Sequence, residues 1–161
     1  MLFGANFVCF APLIDSTMAV KRYEVNFDAS RTVYEFYSEG PKGRIRKKVS
    51  YSEMDNDIFN LSFGDVFEAR KPDDTRRSDN GDKDKVLMTV AHTVFKFLDA
   101  YPGSRIYFEG STASRTRLYQ MEIAKWWNEI SLGFDVQGRD QEDWVPFERN
   151  RNFTVFLIGK K

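Results

Sequence analysis

Apolar and polar residues alternate over the first third of this sequence, and a period of two is what a strand with one buried face and one wet face requires. Tyr23, Val25 and Phe27 alternate with Glu24, Asn26 and Asp28, which makes the first strand. Val33 to Ser38 follows the turn residues Asp28-Ala29-Ser30, and Gly40-Pro41-Lys42-Gly43 reverses the chain into Arg44 to Tyr51. In that third strand Ile45, Lys47, Val49 and Tyr51 share one face, while Arg44, Arg46 and Lys48 share the other. Ile58 to Val66 sets Phe59, Leu61 and Phe63 against Asn60, Ser62 and Gly64, a fourth strand that ends or bulges at Gly64. The pattern is an antiparallel meander that must bury one side.

The period then changes. Ala69 to Asp84 has almost no apolar residues and is predicted to be a mobile loop outside the core. From an N-cap at Asp82 to Tyr101, before Pro102-Gly103, apolar residues recur every three or four positions: Val86, Leu87, Val90, Ala91, Val94, Phe97, Leu98 and Tyr101. Lys85, Thr89, His92, Lys96 and Asp99 fall on the opposite, polar side, so His92 is expected to be exposed. A short strand, Arg105 to Phe108, leads to a second helix from Ala113 to about Ile130, with Ser111 or Thr112 as N-cap and Gly133 closing it. Tyr119, Ile123, Trp126, Trp127 and Ile130 give that helix its buried side. Asp135 to Gly138 and Trp144-Val145 are weak extended segments. The nearly unbroken apolar run Phe153 to Ile158 suits a central strand.

The fold class implied is α+β: a mostly antiparallel sheet of about six to seven strands with two helices packed against it, in the order βββ(β)-α-β-α-β(β). Residues 18–161 are expected to be a single domain. Leu2-Phe3, Phe7-Val8-Cys9-Phe10 and Leu13-Ile14 resemble the apolar part of a secretory signal. They lack a preceding Lys or Arg and are broken by Gly4, Asn6 and Pro12, so residues 1–17 read as disordered or as an over-extended start ahead of Met18.

Charge and cysteine content narrow the function classes. Formal net charge is zero, so any contact with nucleic acid must come from a local patch. The lone cysteine, Cys9, cannot form an internal disulfide, which favours a cytoplasmic setting, and no apolar run spans a bilayer. His92 is the only histidine, so a His-dependent triad or a histidine-pair metal site hangs on that residue.

The chemistry concentrates between the short strand and the second helix. Gly110, Ser111, Thr112, Ser114, Arg115 and Arg117, with Tyr119 behind them, place small residues, hydroxyls and two arginines at a helix N-terminus where the dipole is positive. This is the outline of an anion site, although neither a P-loop nor a dinucleotide glycine pattern is present. Internal carboxylates such as Asp65, Asp79 or Asp82 offer a rival partner for the arginines. Arg44, Arg46 and Lys48 are candidates for nucleic-acid contact, or else solvated residues that guard a sheet against edge pairing. Asp73, Asp74, Asp79, Asp82 and Asp84 lack the spacing of a cation loop, so no metal and no cofactor is assigned.

Asp79-Asn80-Gly81-Asp82, Val86-Leu87-Met88-Thr89-Val90-Ala91 and Gly110-Ser111-Thr112-Ala113-Ser114-Arg115-Thr116-Arg117-Leu118-Tyr119 together resemble a family of short bacterial proteins defined as a domain of unknown function. Phe63-Gly64-Asp65 belongs to the same likeness, which covers about Met18 to Lys161. The resemblance implies a bacterial single-domain protein and supplies no activity. Three readings follow. The first is a binding module with an anion pocket at Gly110 to Arg117 for a phosphate-bearing ligand or nucleic acid. The second is a small nuclease or toxin-like enzyme acting on phosphodiesters, for which no general base is identifiable. The third is a subunit for a protein partner whose arginines are purely structural.

Overall fold

The computed structural model describes residues 21–66 and 79–161. Eight strands form one sheet: β1 Asn26–Phe27, β2 Val33–Gly40, β3 Gly43–Asp55, β4 Ile58–Asp65, β5 Arg105–Phe108, β6 Phe134–Asp140, β7 Asp143–Pro146 and β8 Phe156–Lys160. The helices are α1 Lys83–Ala100, α2 Ala113–Lys125 and α3 Trp127–Gly133. The strand order is β1-β2-β3-β4-β5-β8-β6-β7. Only β4 and β5 run parallel among these neighbours, joined by a crossover that contains α1. Among the described residues the sheet is thus mostly antiparallel, with eight strands and three helices instead of the six or seven and two expected. The predicted loop from Ala69 and residues 1–17 lie outside the described residues, apart from positions 79–84.

Ladder register shows which side chains share a face, because paired residues project to the same side. One face carries Tyr34, Phe36 and Ser38 of β2, opposite Val49, Lys47 and Ile45 of β3. It continues through Phe63, Leu61 and Phe59 of β4, Ile106 and Phe108 of β5, Ile158 and Phe156 of β8, and Val136 of β6. The apolar residues among them form the sheet side of the core, and α1 packs on them. Phe97, fully buried, stacks on Tyr51 at 4.3 Å and meets Phe59 edge-on at 4.9 Å. A hydrogen bond of 2.8 Å between the Tyr51 and Thr93 hydroxyls fixes the helix along its axis. The other face carries Glu35, Tyr37, Arg44, Arg46 and Lys48.

Three expectations are corrected. His92 is 3% exposed and Thr89 is fully buried, although both were placed on the polar side of α1. The chain at Arg22–Val25 accounts for this: the Tyr23 amide donates to Thr89 Oγ1 at 2.9 Å, and His92 lines a recess with Arg22 and Val25. The second helix breaks at Trp126, whose backbone (φ −102°, ψ 16°) ends α2 and starts α3. The break lets Trp127 pack on Phe147 at 4.8 Å while Ile130 is buried. The buried side of α2 includes Thr116 and Gln120 beside Ile123, with Tyr119 only half-buried. Gln120 earns its burial by hydrogen bonding Arg151 O and the Phe153 amide.

The approach to α1 is welded to the β2–β3 hairpin. Asn80, 2% exposed, donates to Gly43 O at 2.9 Å and to Ser38 Oγ at 3.2 Å, and accepts from the Lys42 amide at 2.7 Å. A Cβ on Gly40 would lie 2.0 Å from the Asn80 carbonyl oxygen, so only glycine permits this contact.

Asn80→Ala strands these hairpin groups at a buried position, and chemical denaturation should show a loss of about 2–3 kcal/mol. Burial pushes the Tyr34 hydroxyl up to about 12 and raises that of Tyr51 as well. Both phenols stay neutral in the fold after those of the unfolded chain begin to ionise near pH ~10. Their stabilisation is full below that pH and is lost as pH rises towards 12. Urea midpoints measured between about pH 8 and pH 11 should fall with pH, and less steeply for Tyr51→Phe.

Candidate functional site

The loop after β5 is shaped by Thr112 and Thr116. Thr112 is the N-cap of α2, and its hydroxyl accepts from the Arg115 amide at 3.2 Å. Buried Thr116 accepts from the Gly110 amide at 2.9 Å and donates to Thr112 O at 3.2 Å. A Cβ on Gly110 would fall 2.3 Å from the Thr116 nitrogen, so the loop closes this tightly only around a glycine. Gly110, Ser111 and Thr112 therefore build the helix start.

Beside this start lies a cleft of about 1,090 Å³. Its walls come from the end of β4 (Phe63 to Asp65), the turn Asp79 to Asp82, the first turn of α1, and Ser114, Arg115, Leu118 and Tyr119 of α2. The segments that are far apart in sequence but share the family likeness thus meet in one place. Of the seven residues expected at the anion site, Ser114, Arg115 and Tyr119 line the cleft, and Gly110, Ser111, Thr112 and Arg117 do not.

The first turns of α1 and α2 both line this cleft. Asp82 stands at the N-cap of α1 as expected, yet its side chain makes no cap hydrogen bond. It is drawn away by the hydroxyls of Tyr23 at 2.6 Å and Ser38 at 2.5 Å. Burial first, then the hydrogen bond to Asp82, raise the pKa of Tyr23. Asp79 accepts from the Gly81 amide at 3.0 Å. Deeper in, Lys47 and Asp65 form an ion pair at 2.5 Å, with side chains 7% and 11% exposed.

The remaining cations of the cleft are Lys83, Lys85 and Arg115. Lys85 lies 4.3 Å from the centre of the Tyr23 ring. Arg115 donates to Ser111 Oγ at 2.9 Å, and burial raises the pKa of Tyr119 while the Arg115 charge opposes the rise. No carboxylate among the described residues forms an ion pair with Lys83, Lys85, Arg115 or Arg117. Lys83 and Lys85, and the buried Lys47, were absent from the expected site. Lys47 had a signal in the sequence: it is the one charged residue on the apolar phase between Ile45 and Tyr51.

The Arg44, Arg46 and Lys48 stripe occupies the other face of the sheet. Arg46 pairs with Glu35 at 2.6 Å, and Arg44 lies 3.9 Å from the centre of the Tyr37 ring and 3.8 Å from Glu39. Asp73 and Asp74 lie outside the described residues, and no cluster of metal-ligating side chains occurs among those described. No described helix is long and apolar enough to cross a membrane.

A family model described as "Family of unknown function (DUF6934)" matches residues 19–161, nearly the whole of the chain described above. The chain belongs to this family. No curated protein and no solved structure matches it. Within this DUF6934 chain, the quoted motif residues divide into two kinds. Asn80, Asp82 and Thr116 hold the walls together through hydrogen bonds, and Arg115 and Tyr119 face the space between them.

Asp65→Ala removes one carboxylate from the buried Lys47 ammonium and should destabilise the protein by about 3 kcal/mol in urea unfolding. A Lys47→Met, Asp65→Leu double variant should recover most of that loss.

Proposed function

We propose that this DUF6934 protein is a binding module that takes a phosphate-bearing ligand in the cleft between α1 and α2. The observation that carries the reading is the meeting of two helix N-termini with Lys83, Lys85 and Arg115, none of which has a described carboxylate partner. Exposed amides at a helix start and cationic forks attract the same anionic group, and two such starts on one cleft reinforce each other. The cleft suits a ligand larger than a lone phosphate, with Tyr23, Phe63 and Tyr119 offering aromatic surface to a ring. Of the five carboxylates that line the cleft with these cations, Asp65 is engaged by Lys47 and Asp82 by two hydroxyls, which limits their opposition to an anion, while Glu39, Asp79 and Asp84 favour a ligand that keeps its charge beside Lys83, Lys85 and Arg115.

Arg117 has no part in this binding, and Gly110, Ser111 and Thr112 act by shaping the start of α2. Nor do Arg44, Arg46 and Lys48, on the opposite side of the sheet, contribute. The setting we assign is the reducing cytoplasm of a bacterium, from the family likeness and the lone Cys9.

Titration at low salt with pyrophosphate, ATP and a single-stranded RNA tests the reading. The Lys83→Ala, Arg115→Ala double variant should bind at least ~10-fold more weakly than wild type, and Arg117→Ala should stay within about twofold. Equal binding by wild type and the double variant removes the module. Cleavage of labelled RNA or DNA, with or without Mg²⁺, replaces it with an enzyme.

A further inference from the structure

The cleft between α1 and α2 is lined by acids and rings as well as by cations, and together they narrow what can fill it. Resting on the reading that it takes a phosphate-bearing ligand, we propose that this ligand is a nucleoside monophosphate, with its ribose hydroxyls on Asp79 and its base against Phe63 and Tyr119.

Charge sets the number of phosphates. Lys83, Lys85 and Arg115 have no carboxylate partner among the described residues. They share the cleft with Asp79 and Asp84, which have no cationic partner there, and with Glu39, 3.8 Å from Arg44. One phosphate can stand among the cations and away from those acids. Each further phosphate must come closer to a carboxylate, so a polyphosphate is opposed where a monophosphate is held.

Size and surface call for a ring. A cleft of about 1,090 Å³ far exceeds what a phosphate alone fills. Tyr23, Phe36 and Phe63 lie in nearly parallel planes, with 17° between the first two and 6° between the last two. Phe36 is buried, and Lys85 lies 4.3 Å from the centre of the Tyr23 ring, while Lys47 stays 5.8 Å from that of Phe63. Half-buried Phe63 and Tyr119 are left as the apolar wall for a flat base.

Asp79 calls for donors. Its Oδ1 accepts from the Gly81 amide at 3.0 Å, and its other oxygen has no hydrogen bond among the described residues. A carboxylate beside an anion site opposes the ligand unless the ligand brings hydrogen-bond donors, and a ribose diol brings two.

The test is isothermal titration of the whole chain with AMP, GMP, CMP and UMP in turn, then with the triphosphate and the 2′,3′-dideoxy analogue of the tightest, ribose 5-phosphate and pyrophosphate. At least one monophosphate should bind saturably, and ~10-fold more tightly than its dideoxy analogue and than ribose 5-phosphate, with its triphosphate weaker. Asp79→Asn keeps an oxygen for the Gly81 amide. It should weaken the monophosphate by ~10-fold while pyrophosphate binds as well or better, a pair of effects that a damaged fold does not produce. Pyrophosphate binding that is lost in the Lys83→Ala, Arg115→Ala variant, with no monophosphate preferred over ribose 5-phosphate, overturns the nucleoside and leaves the anion cleft standing. A tighter triphosphate, or full affinity for the dideoxy analogue or in Asp79→Asn, overturns it as well. Absence of binding by pyrophosphate and by every monophosphate removes the cleft and the nucleoside together.

Discussion

The seating of α1 on the sheet is the contact on which the architecture turns. Phe97 lies flat on Tyr51 and edge-on to Phe59, and the Thr93 hydroxyl meets that of Tyr51. Large aromatic faces provide most of the area such a helix can bury, and one hydrogen bond in a dry interior fixes its sliding position. With the helix fixed in this way, its first turn must come up beside the end of β4. The Asn80 side chain then ties the entry to α1 to the β2–β3 hairpin, so the rim of the cleft inherits the rigidity of the sheet.

Among the described residues the helices cover one face of the sheet, and the charged residues divide accordingly. On the other face, arginines pair with neighbouring carboxylates or lie over a tyrosine ring, as exposed residues do at small energetic consequence. On the helical side a lysine–aspartate pair sits almost out of water. Buried pairs of this kind are a poor source of stability, since desolvation offsets most of their attraction. The Lys47–Asp65 pair is better understood as part of the polarity of the cleft than as a brace for the core.

Much of this was legible in the chain. The period-two segments from Val33 to Phe63 became β2 to β4 with the faces read from the alternation, and the three-four spacing of Val86 to Leu98 became the buried stripe of α1. What was illegible came from contacts between distant segments. His92 lies on the polar phase of its own helix, and only the passage of Arg22 to Val25 across that flank buries it. The turn at Trp126 likewise reflects packing of Trp127 against Phe147, twenty residues on, which no local periodicity encodes. At the candidate site, the arginine-bearing helix start was visible, but its division of labour was not. Two residues apart on a helix, Arg115 and Arg117 point in different directions, and only Arg115 lines the cleft.

The single parallel pairing has a consequence of its own. It joins two antiparallel halves, β1–β4 and β5–β8, through only three residue pairs, Ile58 with Arg105, Phe59 with Ile106 and Asn60 with Tyr107. The cleft straddles this seam, taking Lys47 and Asp65 from one half, Ser114, Arg115 and Tyr119 from the other, and the first turn of α1 from the crossover between them. On the binding reading proposed above, a ligand held there would act as a rivet between the halves, coupling occupancy to the cooperativity with which the domain opens.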